Sequence, residues 1–211
     1  MVAVAKMKAL LTGLEATIAR FAEVTISAER LASLEQLSEG ILPLLDAGKT
    51  PHLNFICTHN SRRSQLAEAW GHAFIEKFDL NMTSSSGGTE ATAFFHSSKV
   101  ALQELGFLVD ETQEFTRLHV SSGAEGYKMF SKTWDNSFNP QEDLVAVMTC
   151  SHAEQNCPFI PGAILRIALP FEDPKRFDDT PQAAEEYRKT ALLIGAELNV
   201  VFTYLSTKIS R

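Results

Sequence analysis

The 211-residue chain carries 19 lysines and arginines against 26 aspartates and glutamates, a formal charge of −7, and 45% of its residues are apolar. That balance suits one α/β domain with an appendage, and it excludes a broad basic nucleic-acid surface while allowing a local basic pocket. No apolar run approaches the roughly 20 residues of a membrane span, and the N-terminus lacks a charged-then-apolar leader. With three cysteines, an odd number, the thiols are expected to be reduced in a cytoplasm.

Residues 1–50 read as two helices. Met7, Leu11, Leu14, Ile18 and Phe21 recur at helical spacing, then Leu31, Leu34, Leu37, Ile41 and Leu44 or Leu45. Ser27 is the expected N-cap of the second helix, Gly40 and Pro43 are expected to bend or shorten it, and Gly48 to close it. Both stripes are there to pack, against each other and against the domain or, as a homodimer, a second subunit.

Residues 53–56 are a short apolar run of the buried-strand kind, ending at Cys57. Five residues later come Arg63 and Ser64, and then a helix near 63–78 with Leu66, Trp70, Phe74 and Phe78 on one face. Residues 83–90 end a strand in a polar, glycine-permissive turn, and a helix over about 92–106 stops at Gly106. Strand candidates follow at 107–109, 118–120 and 127–130, and 134–143 reads as loop. This long connection is a candidate wall for a pocket. Residues 144–149 form a near-continuous apolar strand ending in Cys150, with Cys157 and Pro158 beyond. Another strand over 164–169 leads to Asp173-Pro174, and a last helix runs from about Thr180 to Leu205 with Ala184, Tyr187, Ala191, Leu198 and Phe202 inward.

Strands alternating with helices predict a three-layer α/β sandwich around a parallel sheet of about four strands. Residues 51–211 would be the catalytic domain and 1–50 a helical extension. Ligands bind such sheets beyond the C-terminal strand ends, and Cys57, Cys150 and Asp173 all follow those ends.

A loop between a strand and a helix N-terminus gathers backbone N–H groups around one point and favours negative charge. It favours a thiolate for the same reason. Arg63 adds a planar fork of donors for a tetrahedral oxyanion, Asn60 suits a tight loop, and Ser64 supplies a hydroxyl. The stretch reads as a nucleophilic sulfur at the bottom of an oxyanion cradle formed by Thr58, His59, Asn60, Ser61, Arg62 and Arg63. Cys150 and Cys157 read either as buried filler or as further thiols of a relay. A zinc site has no supporting cysteine or histidine spacing. If 150–157 were regular helix, its ends would lie about 10 Å apart, beyond the roughly 7 Å a disulfide spans. A Cys150–Cys157 bond therefore needs the segment looped or unwound.

The loop Cys-Thr-His-Asn-Ser-Arg-Arg-Ser (57–64) resembles the Cys-x-Gly-Asn-x-Cys-Arg-Ser loop of low-molecular-weight protein tyrosine phosphatases and of the thioredoxin-coupled arsenate reductases that share their fold. It departs at His59, which narrows the conformations open to a glycine, and at Arg62, which adds charge for anions or faces water. The Cys-x6-Cys-Pro at 150–158 with the later Asp173-Pro174 is similar to the reductases and absent from simple phosphatases. The resemblance covers about 52–106 and 144–205 and accounts for all three cysteines.

It implies a low-molecular-weight phosphatase-like fold and reduction of arsenate to arsenite. In that scheme Cys57 attacks arsenic, Asp173 is the general acid, Ser64 holds the sulfur, and Cys150 and then Cys157 pass the oxidation to thioredoxin. Some reductases bind potassium near the equivalents of Asn60, Glu68 and Ser86, which the resemblance carries here. The rival from the same residues is a phosphatase using Cys57, Arg63 and Asp173, with Cys150 and Cys157 incidental or protective; against a phosphotyrosine enzyme, the segment after Asp173-Pro174 lacks the tyrosine pair such phosphatases often carry. A non-enzymatic redox sensor is a third reading, against which Arg63 and Asp173 both argue.

Overall fold

In this computed structural model, residues 9–156 and 159–209 are described. Strand β1 (His52–Cys57) is buried along its whole length because it pairs on both edges. Parallel to it lie β2 (Thr83–Gly88) and β6 (Leu144–Met148), and β7 (Ala163–Ala168) closes the sheet in the order β2-β1-β6-β7. All four strands end on one edge, where Cys57 pairs with Gly88. The parallel four-stranded α/β core is therefore as the alternation predicts.

Alternate residues of β1 divide the core. Leu53 and Phe55 face a large cluster built with α3 (Arg63–Lys77), α6 (Ala183–Ile209) and the N-terminal helices, while Ile56 joins Met148, Cys150 and Ala153 on the other side. The helical cover of that second face is short, the six-residue α5 (Ser151–Asn156). The 133–143 segment covers the rest, with a Gly88–Thr133 bridge and Asn54 Nδ2 donating to the Trp134 carbonyl at 2.9 Å. Just before it, Lys132 N–H donates to Asn60 Oδ1 at 2.8 Å, so the long connection also backs the loop after β1. Before it, α4 (His96–Glu104) leads into a separate antiparallel sheet of β3 (Leu108–Glu111), β4 (Thr116–His119) and β5 (Tyr127–Met129).

At the N-terminus, α1 (Thr12–Ala19) runs into a 3₁₀ turn (Arg20–Glu23), and α2 (Ala28–Asp46) is continuous through Gly40 and Pro43. Neither residue breaks the helix. Pro43 lies in the last turn, which Ala47 N–H closes onto the Pro43 carbonyl at 3.1 Å. A Cβ at Gly40 would meet Leu165 Cδ2 at 2.5 Å, so the glycine lets α2 lie against β7. Ser27 caps α2 through Arg30 N–H at 3.2 Å. Met7 lies outside the described residues.

Leu14, Phe21, Leu34, Leu37 and Ile41 belong to the same buried cluster as Trp70 and Phe74. Most of both stripes is taken up within the chain, but Leu31 is exposed, at 43%. Trp70 donates to the Ala191 carbonyl at 2.8 Å with Phe21 edge-on to it at 5.2 Å. Two expectations for the last helix need correcting. It starts at Ala183 rather than Thr180, and Ala184 is exposed because the inward face begins only at Tyr187. At 27 residues α6 is also long and apolar enough, by length and composition, to cross a membrane, which the sequence reading overlooked; half of that stretch is buried in the domain.

Candidate active site

The Cys57 loop is held by its carbonyls. Those of Cys57 and Thr58 accept from the N–H groups of Thr89 and Glu90, that of His59 from the Thr92 and Ser131 hydroxyls, that of Asn60 from Gln65 Nε2, and that of Ser61 from Phe95 N–H. In a trans peptide the carbonyl and the following N–H point opposite ways. Carbonyls engaged outward therefore turn the N–H groups of 58–62 toward the pocket. A Cβ at Gly88 would sit 2.7 Å from the Thr58 carbonyl oxygen, so only glycine lets β2 approach this closely.

The conformational demand falls on Asn60, at φ 46°, a region that asparagine tolerates better than most residues. His59 is outside the left-handed region, so the glycine-to-histidine departure does not strain the loop. Its ring is half-exposed, 3.9 Å from Glu90. Asn60 is also the hub: its Nδ2 donates to Ser64 Oγ at 2.9 Å and Ser86 Oγ at 2.8 Å, and its Oδ1 accepts from Lys132 N–H at 2.8 Å and Gln65 Nε2 at 3.2 Å. Ser64, in the first turn of α3, lies 3.0 Å from Cys57 Sγ.

Arg63 begins α3 and reaches across the loop. Its Nη1 donates to the Phe171 carbonyl at 2.9 Å and its Nη2 pairs with Asp173 Oδ2 at 2.5 Å, while its buried Nε has no partner among the described residues. Asp173 caps the 3₁₀ turn Pro174–Phe177 through Lys175 N–H. The cavity bounded by Cys57, His59, Ser61, Arg62, Arg63 and Asp173 measures about 10 Å³, room for roughly one water. The Arg63–Asp173 pair closes it.

Arg62 does not face water: its side chain is 12% exposed. Its Nη2 pairs with Asp178 at 2.8 Å, its Nε donates to the Tyr187 hydroxyl at 2.6 Å, and its guanidinium lies 4.0 Å from the Phe95 ring centre. Tyr187 in turn donates to Asp178 at 2.7 Å. Burial and that bond push the Tyr187 hydroxyl above its usual range, which keeps it a neutral donor. Arg62 therefore ties the loop to α6. Asp178 and Tyr187 are site-supporting residues that the sequence reading did not assign.

Cys150 precedes α5, and its sulfur accepts Ala153 N–H at 3.3 Å while lying 3.5 Å from Thr58 Oγ1, which also contacts His152 Nδ1 at 3.1 Å. It shares a buried cluster with Cys57. Cys157 lies outside the described residues. Among the described residues no group of three or more His, Cys, Asp or Glu side chains could hold a metal ion.

Asn60, Glu68 and Ser86 do converge behind the loop, but they do not fit a potassium ion. Asn60 Oδ1 already accepts two N–H groups, and Ser86 Oγ accepts from Asn60 and donates to Glu68 Oε2 at 2.5 Å. The fully buried Lys132 ammonium stands 3.8 Å from the same carboxylate oxygen. Burial alone would push the Glu68 carboxyl up; Lys132, then His72 and Ser86, together outweigh it and hold the group below the usual carboxylate range.

No family model matches the chain. Over 129 residues it is 30% identical to an arsenate reductase of Halalkalibacterium halodurans, covering 61% of this chain and 77% of that one. Over 121 residues it is 32% identical to arsenate reductase 2 of Staphylococcus epidermidis, covering 57% and 76% respectively. A YwlE mutant from Bacillus subtilis shares the fold, with a TM-score of 0.52, 16% identity, and coverage of 77% of this chain and 100% of that one. The parallel sheet, with its cysteine loop and Asp-Pro turn at the strand ends, puts the molecule in the low-molecular-weight phosphatase fold class. Within that class the chain belongs to the arsenate reductase family.

Proposed function

We propose that this chain reduces arsenate to arsenite through three thiols, with thioredoxin as the final reductant. The carrying observation is the second sulfur. Cys150 is buried in one cluster with Cys57 and is touched by Thr58, the first residue of the nucleophile loop. Phosphate-ester hydrolysis would use only Cys57, Arg63 and Asp173, and in a phosphatase a sulfur there would be incidental or protective.

Arsenate enters when Arg63 exchanges Asp173 for the oxyanion, which takes the inward N–H groups of the loop and the unpartnered Arg63 Nε. The Cys57 sulfur attacks arsenic, and Asp173 protonates the departing oxygen so that it leaves as water. Ser64 holds the sulfur in line. The Cys150 thiolate then attacks Cys57 Sγ. The electron pair of the sulfur–arsenic bond stays on arsenic, which leaves as arsenite, and two thiols have become a Cys57–Cys150 disulfide. Cys157 attacks Cys150 and releases Cys57 as thiolate, and the dithiol of thioredoxin reduces the Cys150–Cys157 bond.

The test is arsenate-dependent NADPH oxidation with thioredoxin and thioredoxin reductase, on the wild type, Cys150→Ser and Cys157→Ser. Multiple turnover in the wild type that is lost in both variants is the expected result. Hydrolysis of para-nitrophenyl phosphate indifferent to both substitutions, with no arsenate turnover, would leave a phosphatase instead.

A further inference from the structure

Lys132 lies behind the loop, and the chemistry above does not use its charge. Its side chain is fully buried (0% exposed) beside a Glu68 side chain of 2% exposure. Lysine is almost never buried so completely unless paired, and a buried carboxylate without a cation is strongly unfavourable. The ammonium donates to the Phe130 carbonyl at 3.4 Å and lies 4.8 Å from the Phe130 ring centre and 5.7 Å from that of Phe138. The backbone N–H of the same residue holds Asn60 Oδ1 at 2.8 Å.

From Glu68 a continuous hydrogen-bonded path runs through Ser86, Asn60 and Ser64 to Cys57 Sγ. We propose that the Lys132 ammonium is a built-in cation, neutralising Glu68 and holding the Cys57 loop in place of a bound alkali-metal ion. Lys132 is then a positioning residue. It is carried on the long connection after β5, so this segment supplies covalently what an ion would supply from solution. An alkali cation added at the same carboxylate would stand against a fixed positive charge in a medium that screens it poorly, so the wild type should have no site for one.

Thermal unfolding in potassium chloride and in tetramethylammonium chloride at equal ionic strength tests this without reference to the reaction. The wild-type Tm should be the same in both salts. Lys132→Ala, which removes the charge and leaves room for an ion, should lose about 10 °C in tetramethylammonium and regain part of it, saturably, with potassium. Its arsenate turnover should rise with the same potassium dependence. Lys132→Met fills the space and should stay destabilised in both salts. If Lys132→Ala does not fold, the double variant Glu68→Gln/Lys132→Met decides, because removing both charges should restore most of the stability lost by Lys132→Met alone. A saturable, potassium-specific rise in wild-type Tm would overturn the proposal. So would an alanine variant indifferent to potassium, or a double variant no better than the single one. The Tm results hold whether or not the chain reduces arsenate; if turnover fails while they hold, the functional reading is at fault and Lys132 keeps its role.

Discussion

Arg63 must release one partner before it can serve an oxyanion. Its ion pair with Asp173, at 2.5 Å, makes the proposed general acid also the competitor for the anion-binding fork. Asp173→Asn should therefore separate the two roles, with kcat falling about 10²-fold or more and phosphate inhibiting at lower concentration than in wild type. Steady-state kinetics with phosphate as inhibitor check both, and weaker phosphate inhibition would contradict the pairing. Arg62 behaves oppositely. Its guanidinium is committed to Asp178, Tyr187 and Phe95, so Arg62→Ala should cost about 2–4 kcal/mol of stability and leave phosphate inhibition little changed, as read by urea unfolding alongside the same assay. Nothing near position 62 in sequence announces this. Asp178 and Tyr187 lie 116 and 125 residues away, and only the fold brings them together. Cys57, Arg63 and Ser64, by contrast, are legible because their geometry is local to one strand–loop–helix turn.

At the scale of elements, α5 would carry the mechanical demand of the proposed relay. It spans Ser151–Asn156, directly between the second thiol and the third, and a helical path keeps such positions about 10 Å apart against the roughly 7 Å limit of a disulfide. In the proposed relay, forming Cys150–Cys157 would unwind it. Amide hydrogen exchange over 151–156 should accordingly be protected in the reduced protein and fast after oxidation; unchanged protection would mean that the last disulfide does not form there. The central strands β1 and β6 could be read from their apolar runs because both faces are buried. β2 is harder, since its Thr-Ser-Ser-Ser-Gly-Gly composition belongs to a turn by propensity, and it becomes a strand through pairing along all of β1. The β3–β5 sheet showed only as separate candidates, because antiparallel pairing between 108 and 129 is not encoded in any one of its segments.

For the whole molecule, the N-terminal helices are part of the core, and a buried polar seam lies between the main sheet and the β3–β5 side. His52 is in that seam, bonded to Thr83 and Ser85, with Glu68 and His72 of α3 and Lys132 around it. Burial, together with His72 and Lys132 and against the pull of Glu68, lowers its pKa to about 4. The unfolded chain then binds a proton that the native state refuses between about pH 6.5 and pH 4, so this contribution is complete above pH 6.5 and is lost as the pH falls through 4. It amounts to at most about 3 kcal/mol. Urea unfolding across that range should show a steeper acid loss of stability in wild type than in His52→Gln; parallel curves would contradict a neutral buried histidine.

A single turnover decides whether the molecule is a reductase. Cys157→Ser, fully reduced and mixed with arsenate without any thioredoxin, should release one arsenite per chain and stop, with mass spectrometry finding Cys57 and Cys150 joined. Arsenite release without that bond, or no arsenite while phosphate esters are still hydrolysed, would contradict the relay.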